Sequence, residues 1–209
     1  MACLLGVSAC TGSVDTAAVP APAVITAYSA RMSGKWALFV DASRAAGDVA
    51  VAGMRCNRTV VALHLERAVP RAALEAFRSV SDDVQASAAP LPAATLAEGG
   101  YAGAIAVVIR DFDVKDRVDG LMDATATADV RIDATLHVTR AGGAVLEADE
   151  TGTGEASLAS GFVCGGATDA VANATDAAIT DVVRKLAEQF ADSRALRMPD
   201  PVLRAPEAQ

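Results

Sequence analysis

The stretch Ala124-Thr-Ala-Thr-Ala-Asp-Val-Arg-Ile-Asp-Ala-Thr-Leu-His-Val-Thr139 decides the fold that we predict, because its residue character alternates at every step. Apolar side chains occupy the even-numbered positions and polar side chains the odd-numbered ones. Successive side chains of a β-strand point to opposite faces, so the pattern predicts one long strand with an apolar face and a wet face. At roughly 3.3 Å per residue it would be about 50 Å long, which predicts a bend or a bulge along it.

Two segments have the spacing of helices and could cover the apolar face. Apolar residues recur three and four positions apart in residues 67–85 and again in residues 168–190. Pro70 suits a first helical turn, and Thr168 or Asp169 can cap the second helix.

The remaining strand signals flank these helices. Residues 35–41 form a short apolar run that predicts a first strand, with Trp36 in the core. Residues 101–114 have a solid apolar centre, typical of a strand buried on both faces, and residues 115–120 are expected to form a charged turn.

A tight turn is indicated after the long strand by Ala141-Gly142-Gly143, so residues 144–153 should pair back antiparallel. Gly152 and Gly154 are expected to weaken the end of that strand. The order strand, helix, strand, strand, strand, helix predicts an α+β fold, an antiparallel sheet of three to four strands with two helices packed on one face.

Composition excludes some functions. The formal net charge is -8 and no basic run occurs, which argues against nucleic-acid binding. Apolar residues make up 52% of the chain but aromatic residues only 4%, so the core must be built from small side chains. No apolar run reaches the length of a membrane-spanning helix.

The first ten residues have features of a targeting signal. Val7-Ser8-Ala9-Cys10 ends a short apolar run and is similar to the lipobox of bacterial lipoproteins, whose cysteine is lipidated and becomes the new N-terminus. A working signal has a positively charged start, which is missing before this run, so an upstream start codon is one interpretation. The other is that the segment is a buried N-terminal strand with two ordinary cysteines.

The number of cysteines is consistent with export to the periplasm. With Cys3 removed in a signal and Cys10 lipidated, Cys56 and Cys164 remain, and an even remainder in the oxidising periplasm predicts one disulfide. It would close a loop of about a hundred residues and stabilise the fold by roughly 3–5 kcal/mol. Two free buried thiols are the alternative.

The chain divides into four predicted parts. Residues 1–10 are a signal remnant with the lipobox cysteine, and residues 11–33 are a flexible linker rich in Thr, Ala and Pro. Residues 34–192 are a single α+β domain, and residues 193–209, with three prolines, are a disordered tail.

The lipobox, the linker and this order of elements resemble small outer-membrane lipoproteins, namely the lipopolysaccharide-assembly lipoprotein LptE and the related YajG-like and transport-auxiliary lipoproteins. The resemblance implies a lipid-anchored protein of the outer membrane that faces the periplasm. It also implies an accessory binding or assembly factor without catalysis or cofactor, whose partner is an envelope protein, lipid or glycan. The wet face of the long strand is the surface we assign to that partner, through Thr127, Asp129, Arg131, Asp133 and Thr135.

A periplasmic hydrolase is the alternative function. It would use the acidic residues of the predicted turn together with His137, because paired carboxylates and histidine serve acid–base catalysis. The acidic residues are Asp111, Asp113, Asp116 and Asp119. The only other histidine, His64, has no metal-ligand spacing to His137, so no metal site is predicted. A solvated charged turn and an exposed histidine are the simpler interpretation.

Overall fold

The structure is a computed structural model that describes residues 11–14, 19, 22–52, 60–120, 124–159 and 165–198. The strands are β1 (Thr11–Val14), β2 (Met32–Asp41), β3 (Ala46–Ala50), β4 (Val60–His64), β5 (Ser81–Ala86), β6 (Gly103–Asp119), β7 (Thr125–Arg140) and β8 (Gly143–Ala159). The helices are α1 (Ala68–Val80), α2 (Ala93–Glu98), α3 (Gly165–Asp192) and α4 (Arg194–Arg197).

Two sheets organise these elements. The larger has five strands in the order β5-β2-β6-β7-β8, and the smaller has the order β1-β4-β3. In the larger sheet β2 runs parallel to both β5 and β6, whereas β6, β7 and β8 form an antiparallel meander. The prediction of an α+β fold with one antiparallel sheet of three to four strands and two helices is therefore wrong: the sheet is mixed, and the described residues form a second sheet and four helices.

The missed strand β5 explains part of this error. It follows α1 without a linker, and α1 is the crossover that brings β5 parallel to β2, as parallel strands require. Val80 and Val84 are four residues apart, so the helical spacing runs on past the true end of α1. The helix ends at Val80 because Ser81 has an extended backbone, with φ -131° and ψ 155°.

The long alternating strand was predicted correctly as β7, and β8 pairs back against it antiparallel. Residues 115–120 do not form the predicted charged turn, because β6 continues through them to Asp119 and pairs with β7 along its length. A bend or bulge was expected along β7, but the two register shifts in its pairing have their extra residues, Arg110 and Val145, in the neighbouring strands β6 and β8.

Helix α3 covers the apolar face of β7 and β8, and two glycines of β8 allow it to come close. A Cβ atom on Gly154 would lie 2.0 Å from the Ala174 carbonyl oxygen, and one on Gly152 would lie 2.4 Å from the Ala178 carbonyl oxygen. The expectation that these glycines weaken the strand is wrong, since β8 runs to Ala159. They are the residues that let a helix backbone rest on the sheet.

The core between α1, α3 and the sheet is centred on three aromatic rings. Phe190 makes edge contacts with Trp36, at a centroid distance of 4.9 Å, and with Phe77, at 5.4 Å. All three side chains are fully buried, as predicted for Trp36. The rest of this core is mainly Ala, Val, Leu and Ile.

Side chains of α3 also occupy the outer edge of β8. Lys185 Nζ donates a hydrogen bond of 2.7 Å to the Thr151 carbonyl oxygen, and the Thr153 N–H donates one of 3.2 Å to Asp181 Oδ2. Lys185 and Asp181 also pair with each other at 2.8 Å. Unpaired backbone groups on an edge strand invite pairing with another chain, so these two residues protect the middle of the edge.

Both terminal segments contain ordered structure. Residues 11–14, within the stretch expected to be a linker, form β1 and pair parallel with β4. Residues 194–197, within the predicted tail, form α4, whose Leu196 is buried. Arg140 holds α4 by donating to the carbonyl oxygens of Leu196 and Met198. Among the described helices, none is sufficiently long and apolar to cross a membrane.

Candidate functional site

The face of β6, β7 and β8 opposite α3 is the candidate site, and we call it the polar face. It carries the odd-numbered side chains of β7 and the residues paired with them. Those partners are Asp111, Asp113, Lys115, Arg117 and Asp119 from β6, and Glu147, Asp149, Thr151, Thr153, Glu155 and Ser157 from β8. The polar face is therefore a continuous surface of charged and hydroxyl groups in which acidic side chains outnumber basic ones.

A β-bulge at Arg110 sets the limits of this face on β6. Val108 pairs with Thr135 but Asp111 pairs with Asp133, so Arg110 is the extra residue. After the bulge, from Asp111 to Asp119, the odd-numbered residues of β6 lie on the polar face. Before the bulge this face of β6 carries the apolar residues Ala104, Ala106 and Val108, and Ala104 is covered by Leu96 of α2.

The bulge brings Arg110 into a hydrogen-bonded network with β7 and β8. Arg110 Nη1 donates to Thr135 Oγ1 at 3.2 Å, and Thr135 Oγ1 donates to Asp149 Oδ1 at 2.5 Å. Thr135 is fully buried, so its predicted place on the exposed surface is wrong: its hydroxyl lies under Arg110 and Asp149. Its contribution is to hold those two charged groups in place.

A second part of the network lies one pair of residues further along β7. Arg131 binds Asp133 with Nε 3.1 Å from both carboxylate oxygens and Nη2 3.0 Å from Oδ1. Thr151 donates its hydroxyl to the same carboxylate. These bonds, first that from Thr151 and then those from Arg131, hold the pKa of Asp133 below its usual value. Asp133 therefore remains charged at neutral pH, and its carboxylate is already bound by Arg131 and Thr151.

Between these two parts lies a shallow groove of about 300 Å³. Its lining residues are Arg110, Arg131, Asp133, Ala134, Asp149, Glu150 and Thr151. The groove thus offers two guanidinium groups and the carboxylates of Asp133 and Asp149, with no aromatic ring in its wall, since the Glu150 carboxylate accepts a hydrogen bond from Gln189 of α3. It can bind a polar partner by charged hydrogen bonds, which are the stronger kind and depend on geometry.

Of the five residues predicted to bind a partner, Arg131 and Asp133 line the groove, and Thr135 lies beneath it. Thr127 and Asp129 lie on the same face further along β7, opposite Arg117 and Lys115. Sequence reasoning missed Arg110, Asp149 and Thr151, which reach the site from the neighbouring strands. Only the pairing register places them there.

The residues of the alternative hydrolase are not brought together. His137 and Asp133 are four residues apart on β7, about 13 Å at the rise of a strand, and Asp111 lies opposite Asp133. The nearest carboxylate to His137 is that of Glu147, with Nδ1 and Oε2 3.9 Å apart. Asp116 pairs with Ala128 and belongs to the opposite face. In the described residues, no group of three or more His, Cys, Asp or Glu is placed to hold a metal ion.

The lipidation and disulfide predictions concern residues outside the described ranges. Cys10, Cys56 and Cys164 all lie there. The structure therefore gives no support to the disulfide, and the lipid on Cys10 stays a prediction.

Replacing Asp176 of α3 by asparagine is expected to stabilise the protein at pH 7. Burial raises the pKa of Asp176 above 3.8, and its Oδ1 is buried without a hydrogen-bond partner in the described part of the chain. Because the folded state favours the protonated form, stability falls as pH rises from the unfolded pKa through the raised folded pKa. Asp176→Asn should remove this fall, which urea denaturation at pH 3.5 and pH 7 would measure.

The matched control is Asp169→Asn, which removes the same charge from an exposed position of the same helix. Its effect on stability should be small at both pH values. An Asp176→Asn variant whose stability follows the wild-type pH dependence would show that burial does not strain this carboxylate.

Comparison with known proteins finds similarity only among solved structures. No family model matches the sequence, and no curated protein matches it. The structure is similar to protein XCC0632 from Xanthomonas campestris, of the DUF330 family, with a TM-score of 0.49, 13% identity, and coverage of 87% of this chain and 94% of that one. A PelC dodecamer from Paraburkholderia phytofirmans matches with a TM-score of 0.38 and 13% identity, over 81% of this chain and 96% of that one. A minor lipoprotein from Acinetobacter baumannii matches with a TM-score of 0.37 and 10% identity, over 74% of this chain and 91% of that one.

Since these TM-scores are all below 0.5 and identity does not exceed 13%, the similarity assigns neither a family nor a function. None of the three is described as LptE or as a YajG-like protein. The specific resemblance stated from the sequence stays a prediction.

Proposed function

We propose that the protein is a lipid-anchored accessory protein of the bacterial outer membrane that faces the periplasm and binds another envelope component through its polar face. The observation that carries the proposal is the contrast between the two faces of the β6–β8 meander. Helix α3 covers one face, while the other is open beyond the Arg110 bulge, where it bears the groove. Cys10 with its lipobox-like sequence supplies the proposed anchor.

The arrangement of side chains favours binding over catalysis. The groove is lined by groups that already satisfy one another, such as Arg131 with Asp133 and Thr135 with Asp149. A general base must lie within about 3 Å of the proton that it abstracts, and His137 has no nucleophile or carboxylate at that distance among its described contacts. The proposal is therefore a non-catalytic binding or assembly factor.

The groove favours a protein as the partner. Sugar rings are commonly held by stacking on aromatic side chains, and no aromatic residue lines the groove. A lipid tail needs an apolar cavity, whereas this lining is mostly charged. A protein surface with both acidic and basic side chains can match its two guanidinium groups and two carboxylates.

Photo-crosslinking in the native host tests this proposal. A photoreactive phenylalanine analogue at Asp129, which is exposed on the polar face, should yield one discrete cross-linked envelope protein. The same analogue at Asp169, which is exposed on α3, is the matched control and should not yield it. Arg131→Ala should reduce the yield from position 129, because it removes a charged group from the groove.

Absence of any product from position 129, or the same product from both positions, would contradict binding through the polar face. Mass spectrometry of the cross-linked product distinguishes the partner classes. We expect the mass of a protein, whereas an added mass of a glycan or a lipid would show that the partner belongs to that class instead.

A further inference from the structure

A second exposed surface lies at the end of the molecule where two segments meet. Residues 22–31 lead into β2, and residues 193–198 follow α3; together we call them the pole. The Arg197 guanidinium lies 4.1 Å from the centre of the Tyr28 ring and donates to the Ala30 carbonyl oxygen at 3.0 Å. The Ala27 N–H donates to Asp192 at 2.8 Å. These contacts fix the two segments against each other.

The pole is both apolar and basic. The exposed large hydrophobic side chains of the described residues all belong to it, with Ile25 80% exposed, Met198 65% and Tyr28 37%. Its two segments contain Arg31, Arg194 and Arg197, and the acidic groups at its border, Asp192 and Glu188, accept hydrogen bonds from the Ala27 and Ile25 N–H groups. A small depression of about 100 Å³ between the segments is lined by Tyr28, Arg31 and Arg197.

The pole lies at the opposite end of the molecule from the proposed anchor. Thr11, which follows Cys10, pairs with Val60 of β4, and Val60 pairs with Ala50. Nearby, Ala52 forms a bridge with Arg117. Gly103 of β6 pairs with Trp36 at the end of the sheet nearest the pole. Arg117 is 14 residues further along β6, so Arg117 and Gly103 are about 45 Å apart at the rise of a strand.

We propose that the pole is a docking surface for an acidic segment of a partner protein that also carries apolar side chains. The arginines match the negative charge of such a segment, and Ile25, Tyr28 and Met198 match its apolar residues. The direction in which the pole faces depends on the proposed function, because a lipid on Cys10 would hold the other end at the membrane and leave the pole exposed to the periplasm. Binding at the pole itself does not depend on the lipid.

Fluorescence anisotropy with a defined probe tests the proposal. The probe is a labelled 15-residue peptide of alternating glutamate and leucine, titrated with the purified full chain at low salt. Arg194→Glu should weaken its binding at least about tenfold, since charge reversal replaces attraction by repulsion, and Ile25→Ser should weaken it by a smaller factor. Both residues are exposed, so neither change should impair folding.

Two controls separate specific docking from general charge effects. Arg67→Glu makes the same charge reversal at an exposed position at the end of α1 away from the pole, outside the polar face, and should leave the affinity unchanged. A peptide of alternating lysine and leucine should not lose affinity in Arg194→Glu, because its attraction to the acidic polar face does not involve the pole. Equal weakening of glutamate–leucine peptide binding by Arg194→Glu and Arg67→Glu, or weakening of lysine–leucine peptide binding by Arg194→Glu, would overturn the proposal.

Vesicles of phosphatidylglycerol distinguish a membrane from a protein partner. Binding of the chain to these vesicles, lost in Arg194→Glu, together with no binding of the glutamate–leucine peptide, would overturn the proposal in favour of a lipid surface. Failure of the peptide to bind would leave the lipid anchor on Cys10 unaffected, because that is measured separately by acylation.

Discussion

Replacing Gly154 by alanine is expected to destabilise the protein by about 3 kcal/mol, at the upper end of the range for overpacked cores. The new Cβ would lie 2.0 Å from the Ala174 carbonyl oxygen, 2.6 Å from the Ala178 nitrogen and 2.9 Å from the Ala177 Cβ. Two of these atoms belong to the α3 backbone, which cannot rotate away as a side chain could. The whole helix must therefore shift from the sheet, and urea denaturation would measure the loss.

Gly47→Ala is the matched control for this substitution. Gly47 also lies in a strand, β3, but a Cβ atom there would meet no heavy atom within 4 Å. Its free energy of unfolding should change by about 0.5 kcal/mol or less. Equal unfolding midpoints for Gly154→Ala and Gly47→Ala would show that α3 does not rest on β8 as closely as described.

Phe190→Ala is expected to cost about 3–5 kcal/mol, the usual range for removing a buried aromatic ring. Phe190 is fully buried and links Trp36 of β2 to Phe77 of α1 through edge contacts. Few other large side chains are available to fill the cavity, because aromatic residues make up only 4% of the chain. Denaturation would measure the loss, and the emission of Trp36, the only tryptophan, would report the change around its ring.

Ile25→Ala serves as the control, because the Ile25 side chain is 80% exposed and its truncation should cost about 0.5 kcal/mol or less. A Phe190→Ala variant with wild-type stability and unchanged Trp36 emission would contradict the central place of this ring in the core.

The elements that could be predicted from the sequence are those with a strong period of their own. β7 was found because it alternates over 16 residues, and α3 because its apolar stripe has helical spacing. β5 could not be found in the same way, since it is six residues long and has only Ser81 and Val84 buried. Its pairing with β2 comes from the packing of α1, which is a tertiary effect.

Gly152 and Gly154 show why local preference can mislead. Glycine weakens an isolated strand, and that was the basis of the prediction. In the folded protein the missing side chains face the backbone of α3, at Ala174 and Ala178, in a separate element further along the chain. The requirement for glycine therefore depends on the approach of a helix whose position no local pattern shows.

The candidate site was predicted in part for a similar reason. The polar residues of β7 follow from alternation within one strand, which placed Arg131 and Asp133 on the correct face. Arg110 reaches the groove only because of the bulge, and Asp149 only because of the β7–β8 register. Register and bulges depend on the neighbouring strands, so the groove itself could not be derived from any single segment.

The most direct test of the central claim, a lipid-anchored envelope protein, is the chemical state of Cys10 in the native host. The gene should be expressed from its own locus with palmitate labelling, and the N-terminus of the membrane fraction analysed by mass spectrometry. We predict an acylated Cys10 at the mature N-terminus, in the outer membrane, with label absent from Cys10→Ser. An unlabelled protein that retains residues 1–10 and fractionates away from membranes would contradict the claim.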